Sequence, residues 1–286
     1  DLPLRFSEIG RLHRKELSGV LNGLFRVRQI TMDDAHIYVK IDKLIEEINR
    51  LIALINSFYK IFDFKTSYFL ATRPNKAMGD KKLWDKAEDA LAQALKKNKI
   101  KYELQPKEGA FYGPKIEVQV KDSLGRSWQL GTIQVDFNMA EKFNLSFVNQ
   151  RGEKEKPVVI HRAVFGSFER FIGILAENYQ GAFPVWLSPV QVKILNLTKK
   201  NQKYAVKLFN ELKKSGIRIE LDDSNETIGK KIRNAELEKV PYILVVGDKE
   251  EKNNSVAIRT RGKNVISSQK FGDFTEKVLK EIENKI

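Results

Sequence analysis

An α+β fold in two parts is what this 286-residue sequence predicts, and three observations carry the prediction. Ile116, Val118 and Val120 alternate with polar residues, Ser123-Leu124-Gly125-Arg126 supplies a turn, and Gly131, Ile133, Val135 and Phe137 alternate on the return. That is an antiparallel hairpin. A helical period runs through 41–62. Beyond Phe183-Pro184-Val185-Trp186-Leu187-Ser188-Pro189 the pattern resets to strands alternating with helices, which implies parallel pairing. The expected architecture is an antiparallel sheet flanked by helices over 1–186, followed by a small α/β domain with a mixed sheet over 187–286.

In order along the chain, strand-like segments are expected at 25–30 and 35–39. Leu44, Ile45, Ile48, Leu51, Ile52 and Ile55 line one face of the 41–62 helix. Asp80 can cap a second helix whose inner face carries Leu83, Trp84, Ala87, Leu91 and Leu95. Two prolines in 183–189 stop any helix and mark the boundary. The second part then reads as strand 190–197, helix 202–214 ended by Gly216, strand 217–221, helix 227–239, strand 242–246, strand 256–260 and helix 271–286.

Hydrophobic content of 42% is enough to build real cores, and the net charge of +14 points to a polyanionic partner. Half of that excess, 21 basic against 14 acidic residues, lies from Leu187 onward, so it is not confined to a tail. With no cysteine, disulfides and thiolate metal sites within this chain are excluded. No apolar run reaches the ~20 residues of a membrane span, and no signal peptide is visible, so a cytoplasmic location is expected. The opening segment, DLPLRFSEIGRLHRKE, reads as the middle of a fold; sequence upstream of Asp1 is expected.

The stretch HRAVFGSFERFIGIL, His161 to Leu175, places Arg170 in an otherwise apolar helix just after a Gly-Ser pair. A guanidinium cannot shed its charge, so burial demands an anion: a ligand phosphate or carboxylate, or an acid such as Glu169. Arg14 and Glu16 share one face if their segment is extended. Arg26 and Arg28 sit two residues apart, as on one strand face. His36 and His161 lie in strand contexts, where histidines are more often hydrogen-bonded core residues than metal ligands; imidazole suits Zn²⁺, but an acting site needs three protein ligands. Gly109 and Gly113 punctuate a loop that could aim Tyr112 and Lys115 into a pocket. Thr132 and Gln134 share a face, and Gln129 joins them only if a bulge near Gly131 shifts the register.

The segments LHRKELSGVLNGLFRVRQITMDDAHIYV, EGAFYGPKIEVQVKD, GRSWQLGTIQVDF, PVVIHRAVFGSFERFIGIL, GAFPVWLSPVQV and VPYILVVGDKEEKNNSVAIRTR, in this order and at these distances, resemble the threonyl-tRNA synthetases, a family of class II aminoacyl-tRNA synthetases. The resemblance implies a class II catalytic core followed by an anticodon-binding domain. It implies that Arg14 holds the α-phosphate of ATP, Glu16 the adenine, Arg26 the γ-phosphate, and that Arg170 clamps ATP. By the same resemblance His36 and His161 are two ligands of a catalytic-site Zn²⁺ whose third ligand, a cysteine, belongs upstream. Asp34 matches the aspartate that takes the threonine hydroxyl. Tyr112, Lys115, Gln129, Thr132 and Gln134 match residues of that pocket, and Asn225, Glu226, Glu250 and Arg259 match anticodon contacts. The implied partners are threonine, ATP with Mg²⁺, tRNA(Thr) and a second protomer; the implied activity is a threonine–tRNA ligase, as the C-terminal portion of a longer chain.

Three positions depart from the family pattern. Ile30 stands where a phenylalanine stacks on adenine, Met32 where a glutamine helps hold the amino-acid carboxylate, and Leu130 where cysteine is common. Ile30 and Met32 motivate a rival reading, a non-catalytic RNA-binding paralogue. A synthetase for proline, serine or glycine is a second rival, opposed by the histidine pair beside Asp34.

Overall fold

The computed structural model describes residues 1–263 and 266–285. The chain divides into two compact units, Asp1–Glu177 and Asn178–Ile286.

In the first unit the order is β1 (Leu4–His13), β2 (Gln29–Val39), α1 (Leu44–Ile61), β3 (Thr66–Ala71), α2 (Lys81–Lys97), β4 (Tyr102–Gln105), β5 (Lys115–Lys121), β6 (Ser127–Asp136), α3 (Asn138–Lys142), β7 (Phe147–Val148), β8 (Lys154–Glu155), β9 (Val158–Ala163) and α4 (Phe168–Asn178). Seven strands form one sheet in the order β1-β2-β9-β6-β5-β3-β4. Every neighbouring pair is antiparallel except β3 and β4, which α2 connects as a parallel crossover.

The core follows from the helix periods. On α1, Ile48, Leu51, Ile52 and Ile55 are buried, and on α2 Trp84, Ala87, Leu91 and Leu95. The two helices pack on each other and reach β6 and β5 respectively. Each fully buried large aliphatic side chain contributes about 1.5–3 kcal/mol. The Asp80 carboxylate accepts from the Lys82 N–H and starts α2 as expected.

Several local expectations need correction. No strand spans 25–30: Asn22 to Arg26 close a turn, and β2 begins at Gln29, then runs unbroken through the stretch expected at 35–39. Arg26 and Arg28 are therefore loop residues. The segment around Lys15 is not extended, because the Glu16 N–H turns back to the Arg14 carbonyl at 2.9 Å. β1, β3 and β4 were not expected. β1 lies at the sheet edge and exposes both faces, with Phe6 61% and Ile9 71% exposed, so it lacks the one-sided alternation that marks a strand.

The second unit runs β10 (Val192–Asn196), α5 (Gln202–Lys214), β11 (Ile219–Asp222), α6 (Ile228–Leu237), β12 (Tyr242–Val246), α7 (Asp248–Asn253), β13 (Ser255–Thr260), β14 (Ile266–Lys270) and α8 (Phe271–Glu283). The sheet order is β11-β10-β12-β13-β14, with β10 parallel to β11 and β12, and the β12-β13-β14 pairs antiparallel. The sheet is thus mixed. Ile286, at the end of the helix expected over 271–286, lies outside the described residues. The proline segment is held within this unit: Arg261 donates to the Phe183 carbonyl, and Arg218 to those of Trp186 and Ser188. No helix among the described residues is long and apolar enough to cross a membrane.

Candidate functional site

Register in the first sheet aligns side chains that are far apart in sequence. His36 of β2 pairs with His161 of β9, His161 with Gln134 of β6, and Gln134 with Lys115 of β5. Two residues along, Asp34, Thr132 and Glu117 occupy the same face. The two imidazoles are 4.9 Å apart between ring centroids, edge to face, and the Tyr112 ring lies 5.5 Å from His161. Burial, and then the negative charges of Asp136 and Asp34, push the Tyr112 hydroxyl pKa up.

His161 Nε2 is 3.2 Å from Asp136 Oδ2, while Oδ1 of the same carboxylate accepts the Asn138 and Met139 N–H groups that open α3. A carboxylate on one ring nitrogen fixes imidazole orientation, as it does for metal-binding histidines. Gln134 is tied by its amide to the Gly113 carbonyl at 3.0 Å, and Lys115 to Glu117 at 2.6 Å. Gly113 is required where it is: a Cβ there would stand 2.0 Å from the Val135 carbonyl oxygen. Two adjacent imidazoles are a donor set compatible with a Zn²⁺ ion but short of the three protein ligands an acting site needs, and among the described residues no group of three His, Cys, Asp or Glu side chains converges.

Next to this row, a cavity of about 120 Å³ is lined by Arg14, Glu16, Arg26, Ile30, Met32, Gln129, Leu130, Thr132, Ser167 and Arg170, among others. Of the two kinds of partner that the sequence offers Arg170, no acid forms an ion pair with it among the described residues. Glu169 turns instead to the Thr31 N–H at 3.0 Å and the Ser167 hydroxyl at 2.7 Å. Among the described residues the Arg170 guanidinium is in direct contact with neutral groups: the carbonyls of Phe25 at 2.8 Å and Gln129 at 3.0 Å, and the face of Trp128. Burial first, then the charges of Arg14 and Arg26, lowers its pKa, with Glu16 opposing. Glu16 is shared with Arg26 at 3.0 Å. Among the described residues the Arg14 side chain reaches the Met32 sulfur, at 3.9 Å. Three guanidiniums thus line one cavity with a single carboxylate, which Arg26 holds, an arrangement that recruits an anion.

Two backbone features make the cavity. Between β5 and β6 the register shifts at Val118/Gln119, so that Leu130 is an extra residue. This bulge brings Gln129 onto the face of Thr132, and their side chains meet at 3.1 Å. Gly166, at φ +69°, lets the chain turn into α4 where a Cβ would lie 2.6 Å from the Leu130 carbonyl. The turn is anchored by Asp33, whose buried carboxylate accepts the N–H groups of Val164, Phe165 and Gly166 and pairs with Arg162 at 3.3 Å. Burial raises its pKa against those bonds.

Asp33 and Asp136 are not among the residues the sequence singles out, and Glu169, offered there as a partner for Arg170, serves Thr31 and Ser167 instead. The signal was available for Asp33: of two adjacent aspartates in a strand, one must face the core, and a core carboxylate needs several donors.

In the second unit the four expected nucleic-acid residues lie on three separate segments. Asn225 and Glu226 are exposed in the loop before α6, and Glu226 pairs with Lys230 at 2.7 Å. Glu250 accepts the Gly247 N–H at 3.0 Å and closes the start of α7. Arg259 on β13 pairs with Glu236 at 3.3 Å. Among the described residues no hydrogen bond or ion pair joins these four to one another.

Comparison with known proteins agrees with this geometry. The profile of the tRNA synthetase class II core domain (G, H, P, S and T) matches residues 1–179, and that of an anticodon binding domain residues 191–281. Threonine–tRNA ligases of Carboxydothermus hydrogenoformans and Acetivibrio thermocellus are 50% and 52% identical over all of this chain, which spans 45% of their length. A solved structure of the RNA binding domain of threonyl-tRNA synthetase from Cryptosporidium parvum Iowa II superposes with a TM-score of 0.93 at 37% identity, covering 98% of this chain and 70% of that one. On these likenesses the chain belongs to the threonyl-tRNA synthetase family of class II aminoacyl-tRNA synthetases.

Proposed function

We propose that the complete protein of which this chain forms part is a threonine–tRNA ligase, which activates threonine with ATP and transfers it to the 3′ end of tRNA(Thr) in the cytoplasm as a homodimer. The observation that carries the reading is the cavity where Arg14, Arg26 and Arg170 face each other around a single carboxylate, beside the His36–His161 pair.

In this reading the threonine carboxylate oxygen attacks the α-phosphorus of ATP, the bond to the β-phosphate bridging oxygen breaks, and pyrophosphate leaves with Mg²⁺. Two anions must approach, so Arg14 and Arg170 offset the repulsion and hold the charge that develops on the α-phosphoryl oxygens. Arg26 reaches the γ-phosphate, which frees Glu16 to accept from the adenine amine. Asp34 takes the threonine hydroxyl proton, and Tyr112, Lys115, Gln129, Thr132 and Gln134 line the amino-acid pocket. His36 and His161 would hold Zn²⁺, with a cysteine from upstream sequence as the third ligand. Bound there, the ion would supply coordination positions for the threonine amine and hydroxyl, and near-isosteric valine would leave the hydroxyl position unfilled. A tRNA ribose hydroxyl then displaces AMP from the adenylate. Asn225, Glu226, Glu250 and Arg259 contact splayed anticodon bases through their polar edges. The catalytic core corresponds to residues 1–186 and the anticodon-binding domain to 187–286.

The test is ATP–pyrophosphate exchange by the complete protein. Exchange should require threonine and zinc, and valine should not support it. Exchange that survives both chelation and His161→Ala refutes the metal reading. The rival reading, an RNA-binding paralogue without catalysis, rests on Ile30 and Met32 in the cavity lining; threonine-dependent exchange eliminates it.

A further inference from the structure

Among the described residues Arg170 forms no ion pair, and the group beneath its guanidinium is an indole. Its Cζ is 5.2 Å from the Trp128 ring centroid. The indole is itself fixed, because Nε1 donates to Asp122 Oδ2 at 2.8 Å. The Asp122 side chain is fully buried and also takes the Arg126 Nε–H at 2.6 Å and the backbone N–H groups of Leu124 and Arg126. Burial alone would raise that carboxyl, but the donors of Trp128 and Arg126 outweigh it and keep it ionised. Phe25 completes the stack: its ring lies 5.0 Å from Trp128, and its carbonyl accepts from Arg170. One carboxylate at the β5–β6 turn therefore reaches the clamp through a single aromatic ring.

We propose that Trp128, oriented by Asp122, is the positioning residue that holds the Arg170 guanidinium over the cavity by a cation–π contact, so that the nucleotide phosphates meet it already in place. The proposal rests on the reading of this cavity as the ATP site. Its physical basis is that a guanidinium among other cations has no charge partner before the ligand arrives, and the electron-rich ring face supplies attraction without adding an anion that ATP would have to displace. An acid in the same place would hold Arg170 more strongly and repel the phosphates.

The test is a double-mutant cycle on ATP binding, because a residue that acts through Arg170 has no effect once Arg170 is gone. Mg-ATP affinity is measured by titration calorimetry for the parent chain, Trp128→Leu, Arg170→Ala and the double variant, each with its melting curve. Trp128→Leu should weaken ATP about five- to tenfold, the range of a partly desolvated cation–π contact. Arg170→Ala should weaken it further, and the double variant should bind no worse than Arg170→Ala. Trp128→Phe, which keeps a ring face but loses the bond to Asp122, should fall between the parent and Trp128→Leu. Where Trp128→Leu melts early, the cycle is read with Trp128→Phe. Additive losses overturn the proposal, as does unchanged affinity in both Trp128 variants while the parent binds. A parent chain that binds no ATP overturns the reading of the cavity, and this inference with it.

Discussion

The two units hold their candidate residues in opposite ways. In the first, the residues on the seven-stranded sheet are locked by less exposed partners, Asp136 on His161 and the Gly113 carbonyl on Gln134, while the arginines reach the cavity from loops and from α4. In the second, Glu226 and Arg259 sit in surface ion pairs with Lys230 and Glu236, and Asn225 is exposed. Exposed pairs contribute little and exchange easily. The difference matches the ligands proposed. A small nucleotide and an amino acid demand fixed geometry before they bind, whereas splayed bases meet side chains that can trade one partner for another.

Substitutions can break or sharpen this contrast. The largest effect expected is on stability in the first unit. Asp33→Ala leaves three amide groups and Arg162 without their acceptor, and should cost about 3–5 kcal/mol in urea denaturation. A loss below 1 kcal/mol would show that the turn before α4 holds itself. Next, Arg170→Ala should weaken ATP binding about 10- to 100-fold by calorimetry with little loss of stability, as expected for removal of a charge-assisted donor. In the second unit, Arg259→Ala should shift stability by no more than about 0.5 kcal/mol yet lower affinity for an anticodon stem-loop RNA roughly fivefold or more in fluorescence anisotropy. An equal loss of stability would make Arg259 a structural residue like those of the first unit.

The smallest effect concerns pH. The Arg5 guanidinium, bonded to Glu47 at 2.7 and 2.8 Å, is the main reason that the Glu47 carboxyl sits below its ordinary value of 4.5. A depressed carboxyl contributes stability that is complete above its unfolded value and disappears as pH falls through the folded one. Glu47→Gln should therefore flatten the acid limb of the stability profile below that value and leave the limb above pH 7 unchanged. Melting curves between pH 3 and 7, on the order of the carboxylate range, check it.

Much of this was legible in the sequence, for identifiable reasons. Period-two alternation exposed the β5–β6 hairpin, and helical spacing exposed α1 and α2. Strand β1 escaped because both its faces are exposed, so no alternation marks it. The loop holding Arg26 read as a strand because FRVRQ alternates, although Asn22 and Arg26 close a turn around it. In the site, residues with unusual chemistry stood out: an arginine in an apolar helix, histidines in strands. Their supports did not: Asp136 and Asp122 are ordinary aspartates until folding buries them, and only Asp33, beside a second aspartate in a strand, carries a signal of its own.

The extra residue at Leu130 makes the hairpin unequal along its length. Its tip, Ser123 to Gly125, does not set which way Thr132 and Gln134 point, yet a peptide inserted there would part the Leu124 and Arg126 amides from the Asp122 carboxylate that orients Trp128. At the kink the count is rigid: deleting a single residue would turn Gln129 to the opposite side, away from the Thr132 hydroxyl it meets. A length change at the tip would thus loosen the support of Arg170, and one at the kink would misdirect Gln129; both would be read as loss of ligand affinity rather than of folding.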